Sequence, residues 1–178
     1  FPDFDLRASG LEESPLAYPS SIGLWTDILL SDIFFWHLHA ALMCRQWLRP
    51  MSTIVEIGSG CGELARLLWL DHDPLAQWRE IILIDLPESL FFAELYLCTA
   101  LPTVRIRYDG HNLEGSNTGI IPEVGFRLIP AQVCAGQSFL CDLAVSQGSM
   151  QEMESETIAW YLAMLERHSV RRFYTLNG

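Results

Sequence analysis

Positive charge is what this chain has least of: 11 Lys and Arg stand against 22 Asp and Glu, a formal net charge of −11. A phosphate backbone is bound mainly by Lys and Arg, so the long-range field here repels nucleic acid. The one tight basic pair is Arg171-Arg172. The partners implied are neutral or cationic small molecules. Paired cysteines are missing too. Cys44, Cys61, Cys98, Cys134 and Cys141 are odd in number, scattered and without CxxC spacing. That argues against a disulfide framework or a zinc site, and for reduced thiols in a cytoplasmic protein. No basic-then-apolar secretory leader opens the sequence, although Phe1 need not be the native start. The most apolar stretch, 28–43, is interrupted by Asp32, His37 and His39, so no membrane span is expected. Internal repeats, low-complexity segments, a P-loop and a Ser-His-Asp arrangement are absent as well.

What is present fits one globular domain. Half of the 178 residues are hydrophobic, enough to bury a single sizeable core. Residues 1–21, rich in Pro, Ser and acids, read as an irregular lead-in, and 22–178 as the domain. The pattern over 22–48 is helical and closes at Arg49-Pro50, where proline cannot continue a helix. Trp25, Trp36 and Trp47 return to nearly the same helix face and read as a core-facing stripe.

Thr53-Ile54-Val55-Glu56-Ile57 then fits a buried parallel strand. A helix is expected over 63–69, broken by Asp71-His72-Asp73-Pro74, then a strand over 81–85 and a helix over 88–99. Further strands are expected at 104–108, 126–130, 139–145 and 172–176, with a loop over 110–119 and a helix over 154–167. Strands alternating with helices imply a parallel sheet covered on both faces.

The strongest chemical signal is Val55-Glu56-Ile57-Gly58-Ser59-Gly60-Cys61-Gly62, placed between a strand and a helix. Glycines there let the backbone bend sharply and approach a ligand where a Cβ would collide. A dinucleotide fingerprint is spaced G-x-G-x-x-G, with the helix amino end facing a pyrophosphate. Here the third glycine, Gly62, comes one residue early, and Glu63 takes the slot of the expected glycine. S-adenosylmethionine has no phosphate; it carries an amino group, a carboxylate and a sulfonium. Glu56 can help fix its cationic amino end while loop amides face the rest. Asp85, at the end of the next strand, can accept hydrogen bonds from both ribose hydroxyls, a feature shared by methyltransferases and NAD enzymes.

This loop, together with Ile84-Asp85-Leu86-Pro87-Glu88, Phe139-Leu140-Cys141-Asp142-Leu143-Ala144-Val145, Ser149-Met150-Gln151-Glu152-Met153 and Arg172-Phe173-Tyr174-Thr175-Leu176-Asn177, resembles the sugar O-methyltransferase family of the class I methyltransferase superfamily, from about residue 27 onward. The Asp-Leu-Pro-Glu, Ser-x-x-Glu-Met and Phe-Tyr-x-x-Asn runs narrow the match. Members usually carry Asn-Thr or Asn-Ser where this chain has Ser146-Gln147, and often a bulky residue at Cys61. The resemblance implies an α/β Rossmann-like fold, a mostly parallel sheet with helices on both faces. The cofactor implied is S-adenosyl-L-methionine and the acceptor a sugar hydroxyl. It places Glu56, Gly58, Ser59, Gly60, Gly62, Asp85, Leu86, Ala131, Gln132 and Ser146 around the cofactor, and Gln147 and Ser149 beside the substrate.

Methyl transfer to a hydroxyl requires alignment and removal of a proton. Glu152, at the mouth of the expected cleft, and His111, in the middle loop, are the candidate bases. No metal is expected: neighbouring Asp71, His72 and Asp73 converge poorly on one ion, and His37 and His39, two apart on a helix, diverge. A complete sheet of this family would continue past 172–176 into a helix and an antiparallel hairpin. A longer chain or a second copy is therefore expected to cover the sheet edge. Two other readings stay open on residues alone: an NAD-linked oxidoreductase, and a non-catalytic methyltransferase-like domain that binds a partner.

Overall fold

A computed structural model of the chain describes residues 22–25, 28–70, 80–109 and 125–177. The lead-in 1–21, the break at 71–74, the loop at 110–119 and, with it, His111 lie outside the described residues.

The first described segment departs from the expected helix over 22–48. β1 (Ile22–Trp25) and β2 (Ile28–Ser31) form an antiparallel pair in the register Ile22↔Ser31 and Trp25↔Ile28. Helix α1 (Asp32–Arg45) starts only after them. Ser31 fixes that start, its hydroxyl accepting the Phe34 N–H at 3.0 Å as an N-cap. The tryptophan stripe dissolves accordingly. Trp25 lies on a strand, and Trp36 is half exposed on α1. Trp47 lies beyond the helix end, its ring 6.1 Å from that of Tyr174.

Among the described residues the main sheet has six strands: β3 (Thr53–Ile57), β4 (Glu80–Asp85), β5 (Arg105–Tyr108), β6 (Gly125–Pro130), β7 (Leu143–Gln147) and β8 (Phe173–Leu176). Their order is β5-β6-β4-β3-β7-β8, and all five pairings are parallel. β3 and β6 are buried along their whole length, which is why they read as continuous apolar runs rather than alternating ones.

α2 (Glu63–Leu70), α3 (Pro87–Ala100) and α4 (Ser155–Arg167) complete the two layers. Ile54, Ile81 and Leu83 point to a core shared with α1, α2 and α3. Val55, Ile57, Ile82 and Ile84 point to the other face, against Tyr161, Met164 and Leu165 of α4. Each such fully buried side chain contributes about 2 kcal/mol of transfer free energy. The expected strand over 139–145 begins later, at Leu143. Asp142 instead trades two bonds with Thr53: its carboxylate accepts the Thr53 N–H at 2.9 Å, and its own N–H donates to the Thr53 carbonyl at 2.9 Å.

From β3 the chain moves outward to β4 and on to β5 and β6, then returns to the opposite side of β3 as β7. Open parallel sheets bind ligands at such a reversal, in the crevice outside the carboxyl ends of the strands. No helix among the described residues is long and apolar enough to cross a membrane.

Candidate active site

The loop between β3 and α2 sits at that reversal. Gly58, Gly60 and Gly62 have φ of +74°, +53° and +85°, values that strain any residue with a Cβ. Gly58 is also closed off by space: a Cβ there would lie 1.8 Å from Ser149 Oγ. Ser149 follows β7, and its hydroxyl donates to the Ile57 carbonyl at 3.1 Å and meets Ser146 Oγ at 3.3 Å. The loop is thus held from the strand on the far side of the reversal. From the near side, Asp85 accepts the Gly60 N–H at 2.8 Å on one oxygen and the Leu86 N–H at 2.7 Å on the other.

These elements enclose a cavity of about 860 Å³, within the range of small-molecule and cofactor sites. Glu56, Gly58, Ser59 and Gly60 line it from the glycine loop and the strand before it, Asp85, Leu86 and Ala131 from the ends of β4 and β6, and Gln147, Ser149 and Glu152 from the end of β7 and the turn after it. Ser146 is fully buried beneath Ser149. Gly62 is buried against Leu97 and Ala93 of α3, behind the loop. Gln132 is exposed and is not among the lining residues.

Among the described residues, four buried side-chain atoms lack a hydrogen-bond partner: His37 Nδ1, Glu56 Oε2, Ser59 Oγ and Gln147 Oε1. All four residues line this one cavity. A buried polar atom left unpaired costs about 1–3 kcal/mol, and native folds keep such atoms few. Four residues with an unpaired buried polar atom thus gather around one space. Burial, and after it the Asp85 carboxylate, push the Glu56 carboxyl well above the ordinary range. Burial likewise pushes the Tyr161 hydroxyl, which reaches the cavity from α4, up to about 12.

Charge in the lining is one-sided. Among the described residues, Glu56, Asp85 and Glu152 supply three carboxyl groups, no Arg or Lys lines the cavity, and His37 is the one lining side chain able to become cationic near neutral pH. The helix amino end after the loop carries its own acid. Glu63 is buried there, bonded at 2.8 Å to both Nε and an NH₂ group of Arg66 and also to the Tyr96 hydroxyl.

α1 contributes what sequence reasoning missed. Ile33, Trp36 and His37 lie at i, i+3 and i+4, one helix face, and all three line the cavity. The spacing was visible, but an apolar face with a histidine reads as core. His37 and His39 do diverge: His39 Nδ1 meets the Tyr174 hydroxyl at 3.4 Å, away from the cavity.

No family model matches the sequence, and no curated protein does. Among solved structures, the chain is similar to a provisionally assigned S-adenosyl-L-methionine-dependent methyltransferase from Methanococcus maripaludis. Identity is 18%, coverage 80% of this chain and 55% of that one, and the TM-score 0.52. It is also similar to the pyocyanin biosynthetic protein PhzM, at 15% identity, 69% and 29% coverage and a TM-score of 0.44. The chain therefore spans about half the length of the first and under a third of the second. The first likeness shows the fold, a Rossmann-like arrangement shared with that protein.

Proposed function

We propose that this chain holds the cofactor domain of an S-adenosyl-L-methionine-dependent O-methyltransferase whose acceptor is a hydroxyl of a sugar or sugar-containing small molecule. The observation that carries it is the convergence of four unpaired buried polar atoms on a glycine-lined cavity rich in carboxyl groups. The residues present fit that cofactor. Glu56 and Ser59 offer unpaired oxygens to its amino acid end. Each Asp85 oxygen accepts one backbone N–H, which leaves lone pairs for two ribose hydroxyls. When bound, the cofactor supplies a methyl group on a sulfonium, already a good leaving group. A cavity with three carboxyl groups suits that cation and disfavours a dinucleotide's phosphates.

Support for the sugar acceptor is the motif resemblance and the open ring of Trp36, a flat apolar face against which a sugar's C–H groups can pack. Gln147 and Ser149 would hold acceptor hydroxyls, and Glu152, exposed at the rim, is a candidate base.

The test is calorimetric titration with S-adenosylhomocysteine and with NADH, followed by transfer of labelled methyl to a panel of glycosides. Heat with the first ligand alone, and label in a glycoside, are expected. Binding without transfer to any glycoside would favour a non-catalytic domain, and binding of NADH alone would replace the reading with an oxidoreductase.

A further inference from the structure

We propose that His37 is the catalytic residue that takes the proton from the acceptor hydroxyl. This rests on the methyltransferase reading above and assigns a role to a side chain that reading does not use.

The cavity holds few groups able to accept a proton. Asp85 is committed to the Gly60 and Leu86 N–H groups. Glu56 is fully enclosed, and its surroundings favour the protonated form, which cannot act as a base. Glu152 lies exposed where the cavity opens to bulk water. Tyr161 keeps its proton. His37 remains. It lines the cavity, and since its Nδ1 is enclosed with no partner among the described residues, an acceptor hydroxyl would meet the other nitrogen, Nε2, as the vacant acceptor of the neutral ring.

Its environment supports that state. Burial pulls the ring below its ordinary 6.5, against an opposing pull from Glu63, so the neutral form prevails at neutral pH. Glu63 is itself engaged by Arg66 and Tyr96 on α2 and α3. The other titratable groups facing the cavity are Glu56 from β3, Cys61 from the glycine loop, Asp85 from β4, Glu152 after β7 and Tyr161 from α4. α1 also sets the geometry: an acceptor lying on Ile33 and Trp36 lies on the same helix face as His37.

The balance is simple. The acceptor oxygen bonds to the methyl carbon as the carbon–sulfur bond breaks, its electron pair staying on sulfur. The hydroxyl proton passes to His37, which becomes imidazolium and returns the proton to water as products leave.

A base beside the transferred methyl must also sense the cofactor's charge. Protonated His37 repels a sulfonium but not a neutral thioether. The experiment measures Kd for S-adenosylmethionine and S-adenosylhomocysteine from pH 8 to pH 5, in the wild type, His37→Asn, which keeps a polar atom near Nδ1, and Glu152→Gln. The ratio of the two Kd values should rise in the wild type as pH falls below 6.5, by roughly three- to ten-fold more than in H37N. With an accepting glycoside, H37N should lower kcat about 10²–10⁴-fold with little change in KM for the cofactor.

Equal ratios in wild type and H37N overturn the proposal, as does loss of the pH-dependent limb of kcat in E152Q but not in H37N. If neither compound binds the wild type, the methyltransferase reading itself fails and takes the proposal with it. If both bind and only the ratio test fails, that reading stands and His37 is not the base. Retained S-adenosylhomocysteine affinity in H37N shows that the variant is folded.

Discussion

Asp85 and Gly60, on consecutive βα units, are joined by one hydrogen bond of 2.8 Å from backbone N–H to carboxylate. The bond makes the acid at the end of β4 the anchor of the glycine loop, and in the proposed function the same acid also receives the ribose hydroxyls. Asp85→Ala should therefore fail twice, loosening the loop and removing an acceptor. A charge-assisted bond is worth about 1.5–3 kcal/mol, so affinity for S-adenosylhomocysteine should fall at least ten-fold by calorimetry. Asp85→Asn, which keeps the shape and loses the charge, should sit between.

Gly58 should tolerate no side chain. Gly58→Ala places a Cβ 1.8 Å from Ser149 Oγ at a φ of +74°, and the strain of that backbone alone is of order 1–3 kcal/mol. A lower midpoint in urea and loss of cofactor binding are expected. Adding Ser149→Gly should restore part of the stability, because it removes the collision and not the backbone strain.

Glu56 predicts an unusual pH response. Its folded carboxyl titrates well above its ordinary 4.5, so between that value and the folded one the native state holds a proton that the unfolded chain has released. The stabilisation from this group is complete below about pH 4.5 and is lost as pH rises through the folded value. Glu56→Gln should flatten that decline in thermal melts without ligand, while weakening cofactor binding. Binding of a ligand ammonium next to Glu56 should in turn release protons, visible as a buffer-dependent heat.

The buried trio of Glu63, Arg66 and Tyr96 should respond asymmetrically. Arg66→Met leaves an uncompensated carboxylate and should cost about 3–5 kcal/mol in urea unfolding. The double change Glu63→Gln with Arg66→Met should recover much of that, since what is costly is the orphaned charge.

The sheet was largely legible because its strands are buried on both faces. Ile81 to Ile84 have no reading other than a buried strand or helix, and the flanking turns decide between them. The glycine loop and Asp85 were legible because backbone geometry demands those residue types. The region 22–48 was not. The tryptophan spacing suggested one long helix, yet the Ser31 cap and the pairing of Ile22–Trp25 with Ile28–Ser31 override local periodicity. Trp36 was misread for a related reason: an apolar helix face looks the same in sequence whether it packs into a core or lies open on a cavity. His111 lies outside the described residues, so its place in the site is open to experiment.

The one-sided charge of the lining has a metabolic corollary. ATP, ADP and their kin are among the commonest adenosine compounds in any cell and share the cofactor's adenosine, so they would compete for any cleft that recognised the base and ribose alone. If the cavity takes that cofactor as proposed, Asp85 and Glu152, with no Arg or Lys beside them among the described lining residues, disfavour such polyanions without a dedicated gate. In the proposed function, turnover would then track the supply of methyl donor and stay indifferent to the energy charge of its surroundings.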